Sequence, residues 1–304
     1  MTTFHHPISD TDAVTMAATR AILATLPSIE LTPAVRPSFD EMTRQAPPAA
    51  GITYERDVLG GVPGWWCHVP DAPTHTAILY LHGGGYVAGS SEAYRHPAGQ
   101  IAAAAGVSTF VAEYGLASEK VFPAAFNDAV AVYQAMVQMD FKGIAIAGDS
   151  AGGGLTLAVL RHVTEHLEVK PVAAVAISPW ADMTASGLSM QSRADSDPFL
   201  DKQKLLAAAD LYLAGADAVD HRASPVFGPL KDLPPTLIHV GEDEVLLDDA
   251  VRYAERAHEA GSQVELHVWA GMVHVFTSSI ASLEAAREAT QSIGNFLSKH
   301  LIPS

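Results

Sequence analysis

One stretch decides the fold: Gly148-Asp149-Ser150-Ala151-Gly152, which fits the pattern G-x-S-x-G. A short apolar run over residues 143–147 precedes it and predicts a buried strand. Residues 151–166 follow, with apolar residues at three- and four-residue spacing, and predict a helix. Between a strand and a helix, small residues permit a sharp turn that exposes the serine hydroxyl above the end of the strand. Ser150 is therefore the candidate nucleophile, and the helix N-terminus behind it, beginning at Ala151, can supply amide donors to an oxyanion.

The same alternation of strand and helix extends over most of the chain. Predicted buried strands are 76–81, 108–113, 143–147, 172–177, 236–240 and 264–269. Predicted helices are 124–139, 151–166, 247–260 and 283–299. This order predicts an α/β protein whose mostly parallel central sheet is covered by helices on both faces, with antiparallel leading strands in 51–69.

The domain organisation follows from the segments that do not fit the alternation. Residues 1–45 carry a helical pattern over 13–26 followed by Pro33 and Pro37, and residues 183–222 form a polar and then helical interruption. No linker rich in Pro, Gly or Ser divides the chain. We therefore predict one domain over 1–304, with a helical cap formed by about 1–45 and 183–222.

A glycine-rich loop follows the predicted strand 76–81. Its sequence is His82-Gly83-Gly84-Gly85-Tyr86. Consecutive glycines let the backbone approach a ligand closely with its amides free to donate, as the charged intermediate of acyl transfer requires. A phosphate-binding loop is disfavoured because no Gly-Lys-Ser/Thr follows. We predict an oxyanion hole in which amides of Gly84, Gly85 and Ala151 donate and Gly83 shapes the loop.

A serine nucleophile needs a base and a carboxylate, in the chain order Ser, Asp/Glu, His. Three adjacent carboxylates, Glu242, Asp243 and Glu244, follow the predicted strand 236–240, and spacing alone leaves the choice among them open. His274 follows the predicted strand 264–269 and is the candidate base. Both loops come after strand ends, where parallel sheets collect their ligands.

Composition excludes several classes of function. The chain has 304 residues and a formal net charge of −16, from 18 Lys plus Arg against 34 Asp plus Glu. This charge argues against a nucleic-acid partner.

The single cysteine, Cys67, excludes an internal disulfide and a cysteine-based zinc site. His162-Val163-Thr164-Glu165-His166 matches H-x-x-E-H, but we interpret it as a solvated helix end and expect no metal or other cofactor. No secretory signal or membrane span is visible, so a cytoplasmic location is expected.

Several dispersed motifs together resemble one family. In chain order they are His82-Gly83-Gly84-Gly85-Tyr86, Gly148-Asp149-Ser150-Ala151-Gly152-Gly153, Ser178-Pro179-Trp180-Ala181-Asp182, Asp195 with Pro198-Phe199, Asp243-Glu244-Val245-Leu246 with Asp248, and Gly271-Met272 with His274 and Phe276. They resemble the hormone-sensitive-lipase-like family of α/β-hydrolases, the microbial esterases of the His-Gly-Gly-Gly type. The resemblance implies a Ser150–His274–Asp243 triad. The sequence departs from the family at Tyr114-Gly115-Leu116-Ala117-Ser118-Glu119, where the family commonly has Tyr-Arg-Leu-Ala-Pro-Glu.

The expected function is hydrolysis of short- to medium-chain carboxylic esters through an acyl-enzyme. The candidate substrate pocket consists of Tyr86, Trp180, Phe199 and Phe276, which could equally be core residues. A lactone is an internal ester, so a lactonase that opens small or terpene-like rings is the alternative, and a non-catalytic small-ligand receptor of the same fold is a remote one. The resemblance also implies possible homodimers that pair through the last strand and helix, 264–269 and 283–299.

Overall fold

The core of the protein is one sheet, seen in a computed structural model that describes residues 1–26, 30–117 and 119–302. Its nine strands within these residues are β1 (Thr2–His6), β2 (Thr53–Leu59), β3 (Val62–His68), β4 (Thr76–Leu81), β5 (Thr109–Ala112), β6 (Gly143–Asp149), β7 (Ala173–Ile177), β8 (Thr236–Gly241) and β9 (Val264–Trp269). They lie in the order β1-β9-β8-β7-β6-β4-β5-β3-β2. In this described part of the chain β3 pairs antiparallel with both β2 and β5, and all the other strand pairs are parallel. The predicted fold class and the antiparallel leading strands are therefore confirmed.

The helices alternate with the strands along the chain. They are α1 (Asp10–Leu23), α2 (Arg36–Thr43), α3 (Ser91–Ala105), α4 (Ala124–Gln138), α5 (Ser150–His166), α6 (Ser189–Ser192), α7 (Lys202–Leu213), α8 (Leu247–Glu259) and α9 (Glu284–Leu301). Of these, α3 is not among the helices predicted from the sequence. None of the helices that the structure describes is long and apolar enough to cross a membrane.

Helices cover both faces of the sheet because the central strands are apolar on both sides. In β4, Leu79 and Leu81 belong to a core with α4 and α5, whereas Ile78 and Tyr80 belong to a core with α3 and α9. Side chains alternate between the two faces of a strand, so an uninterrupted apolar strand needs two layers of helices. This arrangement brings the carboxyl ends of β4, β6, β8 and β9 to one edge of the sheet.

The structure corrects the assignment of the first residues. Residues 2–6, which the sequence analysis placed in the cap, form β1 and pair in parallel with β9. The imidazole of His6 stacks on the Trp269 indole with ring centroids 3.8 Å apart, and its Nε2 lies 3.0 Å from Nδ1 of His267. Because β1 contains four polar residues and one Phe, it lacks the apolar pattern that reveals a strand. The last strand is therefore covered by β1 and is not the free edge that the predicted homodimer would use.

Residues 10–45 and 183–222 provide α1, α2, α6 and α7. The carboxylate of Asp12 in α1 accepts hydrogen bonds of 2.8 Å from the amides of Glu284 and Ala285, at the start of α9. These amides begin a helix and have no partner within it, so the buried Asp12 fixes α1 against the last helix. At the other end of α1, the guanidinium of Arg20 donates to the carbonyl of Ser196, which joins the two segments of the predicted cap.

Candidate active site

Ser150 lies at the sharp turn between β6 and α5. Its φ is +54°, a left-handed conformation that is strained for a residue with a side chain. The turn is possible because its neighbours are glycines: a Cβ on Gly152 would lie 2.0 Å from the carbonyl oxygen of Leu81. One on Gly148 would lie 2.4 Å from the carbonyl oxygen of Gly152. Close packing of α5 against β4 and β6 thus presents the Ser150 side chain at the carboxyl edge of the sheet.

The Ser150 hydroxyl is hydrogen-bonded to His274, which follows β9. Oγ of Ser150 lies 2.8 Å from Nε2 of His274, and Nδ1 of the same ring lies 2.8 Å from Oε2 of Glu244. A carboxylate only accepts, so these partners assign the proton of the neutral imidazole to Nδ1. Nε2 is then a base placed to receive the hydroxyl proton.

In the structure the carboxylate in contact with His274 is that of Glu244, and not that of Asp243, which the resemblance implies. Asp243 instead pairs with Arg20 of α1, with 2.7 Å between Oδ2 and Nη2, and its side chain is 25 % exposed. Glu244 is fully buried, as are Val245 and Leu246 after it. The motif points to the residue one position before this buried carboxylate. The apolar pair that follows Glu244 is the sequence signal for the inward-facing carboxylate.

Glu244 is held by two donors besides the histidine. Its Oε1 accepts from the Ser178 hydroxyl at 2.7 Å and from the Gly241 amide at 2.6 Å. Ser178 was noted in the sequence only as part of a family motif and was given no role.

Asp197 connects residues 183–222 to the acid loop. Its Oδ2 accepts from the amide of Val245 at 2.9 Å, and its Oδ1 accepts from the amides of Phe199 and Leu200. Burial raises the pKa of this carboxyl, which the nearby His274 and these backbone amides oppose. Sequence reasoning did not find it, because a backbone-binding aspartate has no spacing signature.

The glycine loop after β4 is fixed by a buried carboxylate. Asp149 accepts from the amide of Gly83 at 3.1 Å and from the hydroxyls of Tyr80 and Tyr94 at 2.8 and 3.0 Å. Burial raises the pKa of Asp149, while its hydrogen bonds from Tyr80 and Tyr94 act in the opposite direction. Because the Gly83 amide is engaged, Gly83 shapes the loop and does not donate into the site.

Three other amides remain for an oxyanion. Within the described residues, the amides of Gly84, Gly85 and Ala151 donate a hydrogen bond to no acceptor. Gly84 and Gly85 have φ of +119° and +63°, which glycine adopts without strain. Ala151 is in the first turn of α5, where amides have no intrahelical partner.

The predicted pocket aromatics do not form one open group. Tyr86 and Trp180 are fully buried in one core cluster, where the Tyr86 ring stacks on Tyr212 with centroids 3.9 Å apart. Phe276 is buried in a second cluster. Phe199 is half-buried and packs against both clusters, so it is the one of the four with appreciable exposed surface.

The electrostatics of His274 favour its protonated form. Burial by itself would lower its pKa, but the carboxylates of Glu244, Asp197 and Asp149 outweigh this and raise the pKa above the usual 6.5. Three carboxylates around one imidazole are suited to a base that becomes positively charged during a reaction.

This environment predicts the acid limb of the pH–rate profile. His274 must be neutral to accept a proton, so kcat/KM should fall as pH decreases through its pKa, with a midpoint above 6.5. The measurement is kcat/KM for an ester of pH-insensitive reactivity between pH 5 and 9. A midpoint at or below 6.5 would contradict the described electrostatics.

The site combines a serine at a sharp strand–helix turn with a histidine and a buried carboxylate, all at the carboxyl edge of a parallel sheet. This combination defines an α/β-type serine hydrolase. A family model described as the alpha/beta hydrolase fold matches residues 78–278 of the chain. The chain belongs to the hormone-sensitive-lipase-like family of α/β-hydrolases and is an enzyme of the esterase class.

Known relatives cover most of the chain. An acetyl-hydrolase from Streptomyces hygroscopicus is 40 % identical over 222 residues, 72 % of this chain and 74 % of its own. An esterase from Acinetobacter venetianus is 31 % identical over 281 residues, 91 % of this chain and 92 % of its own. The crystal structure of an esterase from the bacterial hormone-sensitive lipase family superposes with a TM-score of 0.89 at 38 % identity, covering 96 % of this chain and 99 % of that one.

Proposed function

We propose that this enzyme hydrolyses carboxylic esters of short to medium acyl chain through a Ser150–His274–Glu244 triad and an acyl-enzyme intermediate. The observation that carries the proposal is the continuous relay of two 2.8 Å contacts from Ser150 through His274 to Glu244. Each atom in it has the role that acyl transfer requires: a nucleophile, a base and a buried acceptor that orients the base.

In the first half of the reaction, Oγ of Ser150 attacks the ester carbonyl carbon while Nε2 of His274 takes its proton. Glu244 holds the imidazole in the required tautomer and stabilises the imidazolium. The amides of Gly84, Gly85 and Ala151 converge on the negative oxygen of the tetrahedral intermediate. His274 then gives its proton to the leaving alcohol, and the acyl group stays on Ser150.

In the second half, water replaces the alcohol. His274 takes a proton from the water as it attacks the acyl carbon, and the same amides stabilise the second tetrahedral intermediate. Collapse releases the carboxylic acid and returns the proton to Ser150. Apart from the ester and water, every group used belongs to this chain, so the proposed reaction needs no cofactor.

The proposal for short acyl groups rests on the packing near the glycine loop. Tyr86, directly after the glycines, packs with its ring centroid 6.1 Å from Trp180 and 3.9 Å from Tyr212, and all three side chains are fully buried. A relative of the chain is named an acetyl-hydrolase, which is consistent with a small acyl group. We further propose that residues 10–45 and 183–222 form a cap over the carboxyl edge, because Arg20 connects both segments to Asp243 of the acid loop.

The experiment is a hydrolysis screen of p-nitrophenyl esters from acetate to dodecanoate beside five- to seven-membered lactones. We expect kcat/KM to be highest between two and about six acyl carbons and to fall at least about 10-fold by twelve, since excess methylenes must displace packed side chains. A maximum at long chains would contradict the proposed acyl range. Higher kcat/KM on lactones than on every linear ester would replace the proposal with a lactonase.

A further inference from the structure

One buried hydroxyl, that of Ser178, lies between the acid loop and the histidine loop. Ser178 follows β7 and is fully buried. Its Oγ donates to Oε1 of Glu244 at 2.7 Å and accepts from the amide of Val275 at 3.1 Å. Val275 directly follows His274, so a single hydroxyl joins the carboxylate to the backbone beside the imidazole.

The contact determines which carboxylate oxygen faces the histidine. Oε1 of Glu244 is occupied by Ser178 and by the amide of Gly241, and Oε2 is left for Nδ1 of His274. A carboxylate with only the His274 contact could rotate about its last bond and bond the imidazole through either oxygen. The two donors on Oε1 fix the plane of the carboxylate and therefore the orientation of the ring.

The backbone at Ser178 is itself held in an unusual conformation. Its φ is +46°, and its amide donates to the carbonyl of His239 in β8 at 2.7 Å. Val275 on the other side of the hydroxyl also has a positive φ, +51°. Strained residues of this kind persist where the surrounding structure requires them, and they cluster at functional sites. Here the strained conformation aims the hydroxyl at Glu244.

We infer that Ser178 is a positioning residue for catalysis, which acts through Glu244 by fixing the carboxylate that orients His274. This inference rests on the proposed function. It assigns Ser178 no contact with the substrate, so its removal affects turnover more than binding.

The test is Ser178→Ala with p-nitrophenyl acetate. We expect kcat to fall about 10- to 100-fold, which corresponds to the loss of one hydrogen bond to a charged group. KM should change by less than about 2-fold. The same substitution is then made in a Glu244→Gln background and measured with enzyme in excess. If Ser178 acts through Glu244, it should lower kcat by less than about 2-fold there.

The controls separate positioning from general stability. Ser224→Ala removes another fully buried hydroxyl, which donates to the carbonyl of Ala218 at 2.7 Å and accepts from the amide of Met183 at 2.8 Å, away from the triad. It should lower Tm comparably and leave kcat within about 2-fold. If Ser178→Ala does not fold, Ser178→Gly removes the hydroxyl and tolerates the positive φ.

Two outcomes would overturn the inference. One is wild-type kcat in the variant that lacks the Ser178 hydroxyl. The other is the same fold loss in the Glu244→Gln background as in the wild type, which indicates a role independent of Glu244. Failure of the proposed function is seen separately, as wild-type esterase activity that is absent or independent of Ser150.

Discussion

Ser150→Ala should lower kcat for p-nitrophenyl acetate by about 10⁶-fold, because it removes the nucleophile of the acylation step, without which no acyl-enzyme forms. The remaining site holds His274 and Glu244 with no group to acylate. The backbone amides near Ser150 stay in place, so ester binding should persist and KM should change little. The measurement is steady-state hydrolysis corrected for the uncatalysed rate.

The control for this loss is chemical as well as kinetic. A fluorophosphonate should label the wild-type enzyme with one equivalent per chain, and it should leave Ser150→Ala unlabelled. Ser224→Ala should be labelled like the wild type, since its hydroxyl lies outside the site. Turnover that survives in Ser150→Ala would refute the triad. A wild-type chain that neither turns over nor is labelled would indicate a receptor with the hydrolase fold.

Glu244→Gln should lower kcat by about 10⁴-fold. An amide of nearly the same shape can donate to Nδ1 of His274, which stabilises the tautomer with its proton on Nε2, where it cannot accept from Ser150. The imidazolium also loses its neighbouring negative charge. The acid limb of any residual activity should move to lower pH, because Glu244 raises the pKa of His274.

The matched control is Asp243→Asn, one residue away in the same loop. Asp243 contacts Arg20 at 2.7 Å, and both side chains are about a quarter exposed to solvent. Such a pair contributes at most about 1 kcal/mol to stability. We expect kcat to stay within about 3-fold of the wild type. The opposite result, a large loss in Asp243→Asn and a small one in Glu244→Gln, would restore the motif-based assignment.

The sequence was sufficient to predict the class of the fold and two of the three side chains in the relay, Ser150 and His274. Strand and helix periodicity located β4, β6, β8 and β9, and the chemistry after each strand end pointed to Ser150 and His274. These predictions depend on local patterns, which sequence carries well. The structure adds that Ser150 and His274 are in hydrogen-bonding contact, 124 positions apart.

The features that the sequence did not predict depend on contacts between distant segments. Among three adjacent carboxylates, the one that turns inward is Glu244, which is buried together with Val245 and Leu246, whereas the motif points to Asp243. β1 was missed because its partner, β9, lies more than 250 residues along the chain and its side chains are mostly polar. Ser178 and Asp197 act through backbone amides and a carboxylate, and such partners are recognised only from coordinates.

The guanidinium of Arg20 binds three distant parts of the chain together, since α1 carries it and it contacts Ser196 and Asp243. The segment before the glycine loop and the segment inserted after β7 are thus held together next to Glu244, the proposed catalytic acid. Exchange of the first segment for one without the arginine would leave the Asp243 carboxylate without its cation, and exchange of the second would alter the backbone carbonyl at residue 196 that Arg20 contacts. Chimaeras designed to alter substrate range should therefore transplant both segments together with residue 243.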